Sequence, residues 1–467
     1  MNNFHAAVIA GTHSGVGKTT WSLALMAFFQ EKGLKVQPFK VGPDYIDPGF
    51  HSLVCSPCKS RNLDRFFLSP DYLKQCFEKN CAGADAAIVE GVMGLYDGKS
   101  PVTEEGSTAE MAKLLNLPVF LVVDAAGIAR SAAAIVKGYQ SFDPELNLAG
   151  VLLNRVGSEG HYEWLCQSIE ETGVPVLGWL PANSKISIPE RYLGLQTALE
   201  EEERFREKLI QLTGLLKNHF DSERFLELSR RGVVSTPENI PGRGNPAPTC
   251  RNGKSICRIG AAYDRAFSFY YQDNFDLLEK QGAEIIYFSP LLDQRLPENL
   301  DALYLGGGFP EIFARELSQN EGMKASIQKF YEEGGLFYAE CGGLIYLSEA
   351  LIDPSGTEIP LLGLVPGKIV MSDRLQNFGY HEIETRMETF LFEKGKKFRS
   401  HEFHYSIWNT GENFKSLYQI NSRMEGFYNG QILASYQHLH FGQDPRLAEN
   451  FVQFASYRPK AHVHSNL

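Results

Sequence analysis

Two α/β domains, each a parallel sheet covered by helices on both faces, are what this chain predicts. Three observations carry that reading. Its 467 residues exceed what one hydrophobic core serves. Apolar runs alternate with helix-periodic segments in both halves, the pattern of buried parallel strands and crossover helices. The stretch "STPENIPGRGNPAPTCRNGK" (235–254), rich in Pro and Gly and without periodicity, separates the halves. The domains are therefore expected at 1–234 and 256–460, with a linker at 235–255.

Taken in order, "FHAAVIAG" (4–11) reads as a buried strand ending in a glycine turn. "TTWSLALMAFFQEKG" then carries helical periodicity and stops at Gly33, whose missing Cβ suits a helix terminus. "LKVQPFKVG", "DAAIVEGV", "PVFLVVDAAG" and "LNLAGVLLNRV" are the next four strands. "GSTAEMAKLLN" and "ARSAAAIVKGYQ" are helices between them. After "PVLGWLP", a charged helical stretch runs over about 197–231. The second α/β pattern begins at "ICRIGAAYD" and continues through "AEIIYFSP", "DALYLGGGFP" and "GGLFYAECGG". It ends in β-rich sequence near "GQILASYQHLHF". The aromatics of "AAYDRAFSFYYQDNF" (261–275) read as core rather than as a binding platform.

Composition narrows the function. A net charge of −11 disfavours nonspecific binding to nucleic acid or anionic membrane, so neither is an expected partner. No basic segment followed by a long apolar run opens the chain, and no apolar run reaches about 18 residues, so the cytoplasm is the expected location. Eight cysteines are too few for a disulfide scaffold, and Cys55 and Cys58 lack a second pair at zinc-ribbon spacing.

The stretch "GTHSGVGKTTW" (11–21) lies between a strand and a helix, where backbone N–H groups can wrap a phosphate. Gly15, Gly17, Lys18, Thr19 and Thr20 supply the turn, the lysine for the β/γ oxygens and the hydroxyl for Mg²⁺. The usual first glycine would fall at Thr12, and Gly11 stands one residue early. ATP or GTP binding follows. "KVGPDYIDPGFH" (40–51) sets Asp44 and Asp47 in a Pro/Gly loop at the end of the next strand. "VEGVMGLYDG" (89–98) adds Glu90 and Asp97. Four carboxylates exceed the one that a motor NTPase needs for magnesium, and they are costly near a triphosphate unless metal neutralises them or they orient a nucleophile. Thr19, Asp44 and Glu90 are expected around Mg²⁺, with Asp47 and Asp97 shaping the acceptor side.

In the second half, Cys341 stands between an apolar strand and a helix with Gly342 and Gly343 behind it, as a nucleophile elbow requires. The helix N-terminus there favours thiolate; a buried structural cysteine is the alternative. Backbone amides at Gly307 and Gly308, with that of Gly342, are the expected oxyanion hole. The base a cysteine needs is available in "ASYQHLHF" (434–441), where His438 and His440 share one face if the segment is a strand. His401 and His404 of "SHEFHYS" fall on opposite faces of a strand and lack a further zinc ligand.

Four segments in order, "GTHSGVGKTT", "KVGPDYIDPGFH", "VEGVMGLYDG" and "LLNRVGSEGHY", resemble the cobyrinic acid a,c-diamide synthase family. The phosphate loop is similar to the G-T-x-x-x-V-G-K-T variant of dethiobiotin synthetase. The resemblance implies a P-loop NTPase-like, dethiobiotin synthetase-like N-terminal domain and a class I glutamine amidotransferase-like C-terminal domain. It implies ATP as co-substrate with Mg²⁺, an acyl phosphate formed on cobyrinic acid, and ammonia from glutamine. By the same resemblance Asn154 would read the nucleotide base, a strand-end cap being the other reading, and His438 would be the histidine of a Y-x-H element. His440 stands where many class I amidotransferases carry a glutamate, so a Cys341–His438 dyad is expected. A homodimer is compatible with this picture. A cobyric acid synthase, a nickel-sirohydrochlorin amidating relative and a ParA-like switch ATPase with an inactive amidotransferase domain remain open as alternatives.

Overall fold

The computed structural model describes residues 4–182, 202–231, 255–410 and 415–457. Most of the expected linker, 235–254, lies outside them, as does 197–201 of the charged stretch. The chain divides into two compact units, Met1–Pro241 and Gly242–Leu467.

The first unit runs β1 (Phe4–Gly11), α1 (Lys18–Glu31), β2 (Val36–Val41), α2 (Ile46–Val54), β3 (Arg61–Leu63), α3 (Pro70–Cys81) and β4 (Ala86–Glu90). It continues with α4 (Thr108–Leu115), β5 (Val119–Asp124), α5 (Ser131–Phe142), β6 (Leu148–Val156), α6 (Glu159–Glu170), β7 (Val176–Pro181), α7 (Glu202–His219), α8 (Ser222–Leu228) and β8 (Arg230–Arg231). Strand order is β3-β2-β4-β1-β5-β6-β7, all parallel, with β8 antiparallel on β1. The central strand β1 is buried on both faces, which is why it reads as an unbroken apolar run. Neighbours β2, β4 and β1 bring their C-terminal ends to one sheet edge.

One expectation changes and one is refined. Asp47 is not in a loop but in the first turn of α2. Pro48 is tolerated because it too lies in that turn, where an N–H has no intrahelical partner. The charged stretch is helical, in two pieces. It breaks at Phe220, which bridges Gly178 of β7, and restarts at Asp221, whose carboxylate accepts from the Arg224 amide at 2.9 Å.

The second unit begins β9 (Cys257–Ala262), β10 (Phe267–Phe269), α9 (Gln272–Lys280), β11 (Ala283–Phe288), β12 (Ala302–Leu305), β13 (Gly307–Gly308), α10 (Ala314–Gln319), α11 (Glu321–Glu332), β14 (Leu336–Glu340) and α12 (Gly342–Leu347). Next come β15 (Ser348–Ile352), β16 (Glu358–Pro360), β17 (Val365–Met371), β18 (Asn377–Thr385), β19 (Lys397–His404), β20 (Ser406–Asn409), β21 (Tyr418–Ile420), β22 (Arg423–Glu425), β23 (Phe427–Tyr428), β24 (Ile432–Ser435) and α13 (Arg446–Ser456). Its main sheet, β11-β9-β12-β14-β24-β23, is parallel except for β23. Two four-stranded sheets, β16-β15-β17-β20 and β19-β18-β21-β22, accompany it. Of the 261–275 aromatics, Phe267, Tyr271 and Phe275 are core, whereas Tyr263 is exposed. No helix among the described residues is long and apolar enough to cross a membrane.

Candidate active sites

The phosphate-loop region is built on close backbone approach. Gly17 has φ 101°, and a Cβ there would lie 2.1 Å from Asn154 Nδ2. Gly11 explains the shifted motif: a Cβ there would meet Val16 at 2.4 Å and Lys18 at 3.0 Å. Asn154 donates to the Val16 carbonyl at 2.8 Å, so its side chain braces the loop. Lys18 lies across the loop and donates to the His13 carbonyl, and Thr20 is buried on α1.

Behind the loop sits a buried cluster. Thr19 donates to Glu90 Oε1 at 2.7 Å, and Lys40 Nζ reaches the same oxygen at 2.8 Å and Asp47 Oδ2 at 2.5 Å. His51 Nε2 lies 2.7 Å from Glu90 Oε2 and its Nδ1 3.2 Å from Ser60 Oγ. Asp44 Oδ1 accepts from the Ile46 and Asp47 amides at the start of α2. Burial alone would strip the charge from these groups, so their mutual attraction and repulsion decide. Burial pushes Glu90 up, but Lys40 and His51 outweigh it and hold the carboxyl well below its ordinary range. Burial pulls Lys40 down, but Asp47, Glu90 and Asp44 carry it above its ordinary value. Asp47 loses that competition: burial and repulsion from Asp44 and Glu90 push it well up. One carboxylate is thus held charged beside another that readily takes a proton.

The structure gathers Asp44, Asp47 and Glu90 about Lys40, while Asp97 is exposed and accepts from the Gly94 amide of its own loop. Lys40 and His51 were not among the expected residues. Both lie within "KVGPDYIDPGFH". The i to i+4 spacing of Asp47 and His51 would have placed them on one face had Pro48 and Gly49 not read as loop. As donors for a hard divalent cation, the hydroxyl of Thr19 and the carboxylates of Glu90 and Asp44 are chemically suitable.

In the second unit three neighbouring strands deliver the chemistry. Cys341 follows β14 at φ 47° and ψ −98°, a conformation few side chains adopt and the mark of a nucleophile elbow. The turn closes because Gly343 donates to the Gly306 carbonyl at 2.9 Å, and a Cβ at 343 would lie 2.2 Å from the Leu305 carbonyl. A Cβ on Gly342 would lie 3.1 Å from the Gly308 amide nitrogen, so the glycine run beyond β12 faces the elbow. A Cβ on Gly307 would lie 2.5 Å from His438 Cε1 and 3.2 Å from its Nε2. His438, Gly307, Gly308, Gly342 and Cys341 are therefore one cluster.

The expected thiolate is not what the surroundings favour. Burial pushes the Cys341 thiol up, and the carboxylates of Glu311, Glu402 and Glu340 add to it, whereas the Gly342 amide opposes. The six-residue α12 is too short to reverse this. To act as a nucleophile a buried thiol needs a base, and His438 is the imidazole of the same cluster. Nor is 434–441 a strand throughout. β24 ends at Ser435, and His438 is held instead by paired backbone bonds to His401 of β19, at 2.9 and 3.3 Å. His440 turns elsewhere: its Nδ1 accepts from the Gly442 amide at 3.0 Å, its Nε2 lies 3.8 Å from Asp273, and its ring packs on Tyr271.

His404 is stacked on Tyr436 at 3.7 Å between ring centroids and bonded to Glu402 at 2.7 Å. Glu402 also takes Arg423 and Gln437 and is held well below its ordinary range. Burial opposes that shift; His404 and Arg423 overcome it.

Comparison with known proteins agrees with both halves. Residues 7–195 match the CobQ/CobB/MinD/ParA nucleotide binding domain, and residues 258–446 match the CobB/CobQ-like glutamine amidotransferase domain. The cobyrinate a,c-diamide synthase of Dehalococcoides mccartyi strain CBDB1 is 44% identical over 465 residues, covering 97% of this chain and 98% of its own. That of Priestia megaterium is 42% identical, with 96% of each chain covered. That of Caldanaerobacter subterraneus subsp. tengcongensis is 44% identical over 92% of this chain and 94% of its own. With relatives this similar from end to end, and a P-loop unit and an elbow-cysteine unit in the same order, the chain belongs to the cobyrinate a,c-diamide synthase family.

Proposed function

We propose that this protein amidates the a- and c-carboxylates of cobyrinic acid, using ATP to activate each acid and glutamine to supply nitrogen. The observation that carries the proposal is the pairing, in one chain, of a phosphate loop backed by the Lys40–Glu90–Asp47 cluster with a Cys341–His438 elbow site. A substrate carboxylate oxygen bonds to the γ-phosphorus of ATP as the bond to the β-phosphate oxygen breaks, giving an acyl phosphate and ADP. Lys18 and Lys40 offset the charge that builds there, and the loop amides orient the triphosphate. Thr19, Glu90 and Asp44 would hold Mg²⁺, which would supply further charge neutralisation at the phosphates. Ammonia then forms the C–N bond and phosphate leaves. Asp47, its carboxyl pushed well up by burial and by the neighbouring Asp44 and Glu90, shapes the acceptor side.

At the other site His438 takes the Cys341 proton as sulfur attacks the glutamine amide carbon. The amides at Gly307, Gly308 and Gly342 receive the oxyanion, and the imidazolium returns the proton to the departing ammonia. Water hydrolyses the thioester to glutamate. Mass spectrometry of products from purified protein, cobyrinic acid, ATP, Mg²⁺ and glutamine tests the reading. Two successive acid-to-amide conversions are expected. An unchanged cobyrinic acid, with another macrocycle amidated instead, would assign the chain a different substrate.

A further inference from the structure

Amidotransferase chemistry asks for a third group to orient the histidine, and His440 does not supply it. Its ring is bonded to the Gly442 amide and faces Asp273. The carboxylate that does face His438 comes from an unexpected place, the residue immediately before the nucleophile. Glu340 ends β14 with 1% of its surface exposed, and its Oε2 lies 3.7 Å from His438 Nδ1. The Cε1–Nε2 edge of the same ring faces Gly307 in the glycine run. The ring thus turns Nδ1 toward Glu340 and leaves Nε2 beside the glycine run.

Glu340 is itself fixed. Oε1 accepts from the Tyr338 hydroxyl at 2.5 Å and from the Leu439 amide at 2.9 Å, and Oε2 accepts from the Tyr304 hydroxyl at 2.9 Å. Asn274, fully buried, donates to Tyr304 Oη at 3.3 Å and to the Leu439 carbonyl at 2.8 Å, and accepts from the Phe441 amide at 2.7 Å. These bonds tie the carboxylate to the backbone on the C-terminal side of His438, so ring and carboxylate keep their relation. A shift of about 0.9 Å brings the pair to hydrogen-bond distance, the kind of tightening that catalytic contacts undergo when substrate binds.

We propose that Glu340 is the positioning carboxylate of the glutaminase site, fixing the tautomer and orientation of His438 in place of the glutamate that other class I enzymes carry two residues after the histidine. The inference rests on the glutaminase reading above. Its chemistry is that of a carboxylate behind a catalytic imidazole: Nδ1–H donates to Glu340, Nε2 takes the Cys341 proton, and the imidazolium formed is stabilised.

The test compares the full-length protein with Glu340→Gln, which keeps an acceptor for Tyr338 and Leu439 but loses the charge, and with Glu340→Asp. Glutamate release and the rate of Cys341 carbamidomethylation by iodoacetamide, followed by peptide mass spectrometry, are measured from pH 5 to 10. Glu340→Gln is expected to lower kcat for glutamine by about a hundredfold or more with little change in KM. Cys341 alkylation also slows, because an unoriented His438 no longer takes the thiol proton. Glu340→Asp recovers part of the rate. Glu311 and Glu402 also act on the Cys341 thiol, and they are common to all three proteins. Identical kcat and identical profiles in Glu340→Gln would overturn the assignment. Alkylation needs no glutamine, so it judges Glu340 even if wild-type protein released no glutamate, a result that would instead sink the glutaminase reading.

Discussion

Substituting Gly307 by Ala perturbs the position of His438 without touching its chemistry. The added carbon would sit 2.5 Å from His438 Cε1, whereas ordinary contact begins at 3.4 Å. Ring or loop must therefore give by about 0.9 Å. The loop cannot yield freely, because Gly307 is paired with Phe269 and the new Cβ would also press on Phe269 at 3.2 Å. The histidine backbone is pinned to His401, so the imidazole tilts instead. Gly307 does not occupy the left-handed region, and alanine keeps the amide, so neither backbone strain nor loss of the proposed oxyanion donor confuses the result. A reacting group displaced by about 1 Å loses roughly a hundredfold in rate, while overpacking of this kind costs about 1–3 kcal/mol of stability. The assay follows glutamate release and diamide formation, with glutamine or ammonium chloride as nitrogen source. Glutamine-dependent kcat should fall by about two orders of magnitude with ammonium-dependent synthesis retained. Full glutamine activity in a folded Gly307→Ala protein would refute the packing of His438 against the glycine run.

Three further outcomes follow from the same contacts. Cys341→Ser should abolish synthesis from glutamine and leave synthesis from ammonium salts; equal loss of both in a folded variant would contradict the division of labour. Lys40→Met removes the cation between Glu90 and Asp47 and leaves Glu90 with His51 and Thr19. Breaking such a buried pair costs about 3–5 kcal/mol, so thermal unfolding should occur at lower temperature and synthesis should fail with either nitrogen source. Burial lowers His440 to about 4. The unfolded chain takes that proton near pH 6.5 while the folded one does not. Stability is therefore full above about pH 6.5 and falls toward pH 4, by about 2 kcal/mol at pH 5. Urea titrations at pH 7 and pH 5 should show this loss reduced in His440→Asn.

What the residues alone determined is whatever local chain geometry encodes. Glycines at 15 and 17 ahead of Lys18 and Thr19 demand a phosphate-wrapping turn between strand and helix. Cys341 followed by two glycines demands an elbow. Long apolar runs demand parallel strands. Each of these is settled within a few residues, so it is legible without knowing what lies across the sheet. The tertiary structure decided which groups meet. Lys40 joins Glu90 because β2 lies beside β4, and Asp47 and His51 join them because Pro48 falls in a helical first turn rather than in a loop. Burial, joined by the Glu311 and Glu402 carboxylates from other segments, disfavours the Cys341 thiol as an anion. Glu340 faces His438 because β14 neighbours β24, and His440 is turned toward Asp273 because the chain leaves the sheet at Ser435. Charges and hydrogen bonds act over a few ångströms in space, and strand order with the turns that leave the sheet sets those distances between residues far apart in the chain.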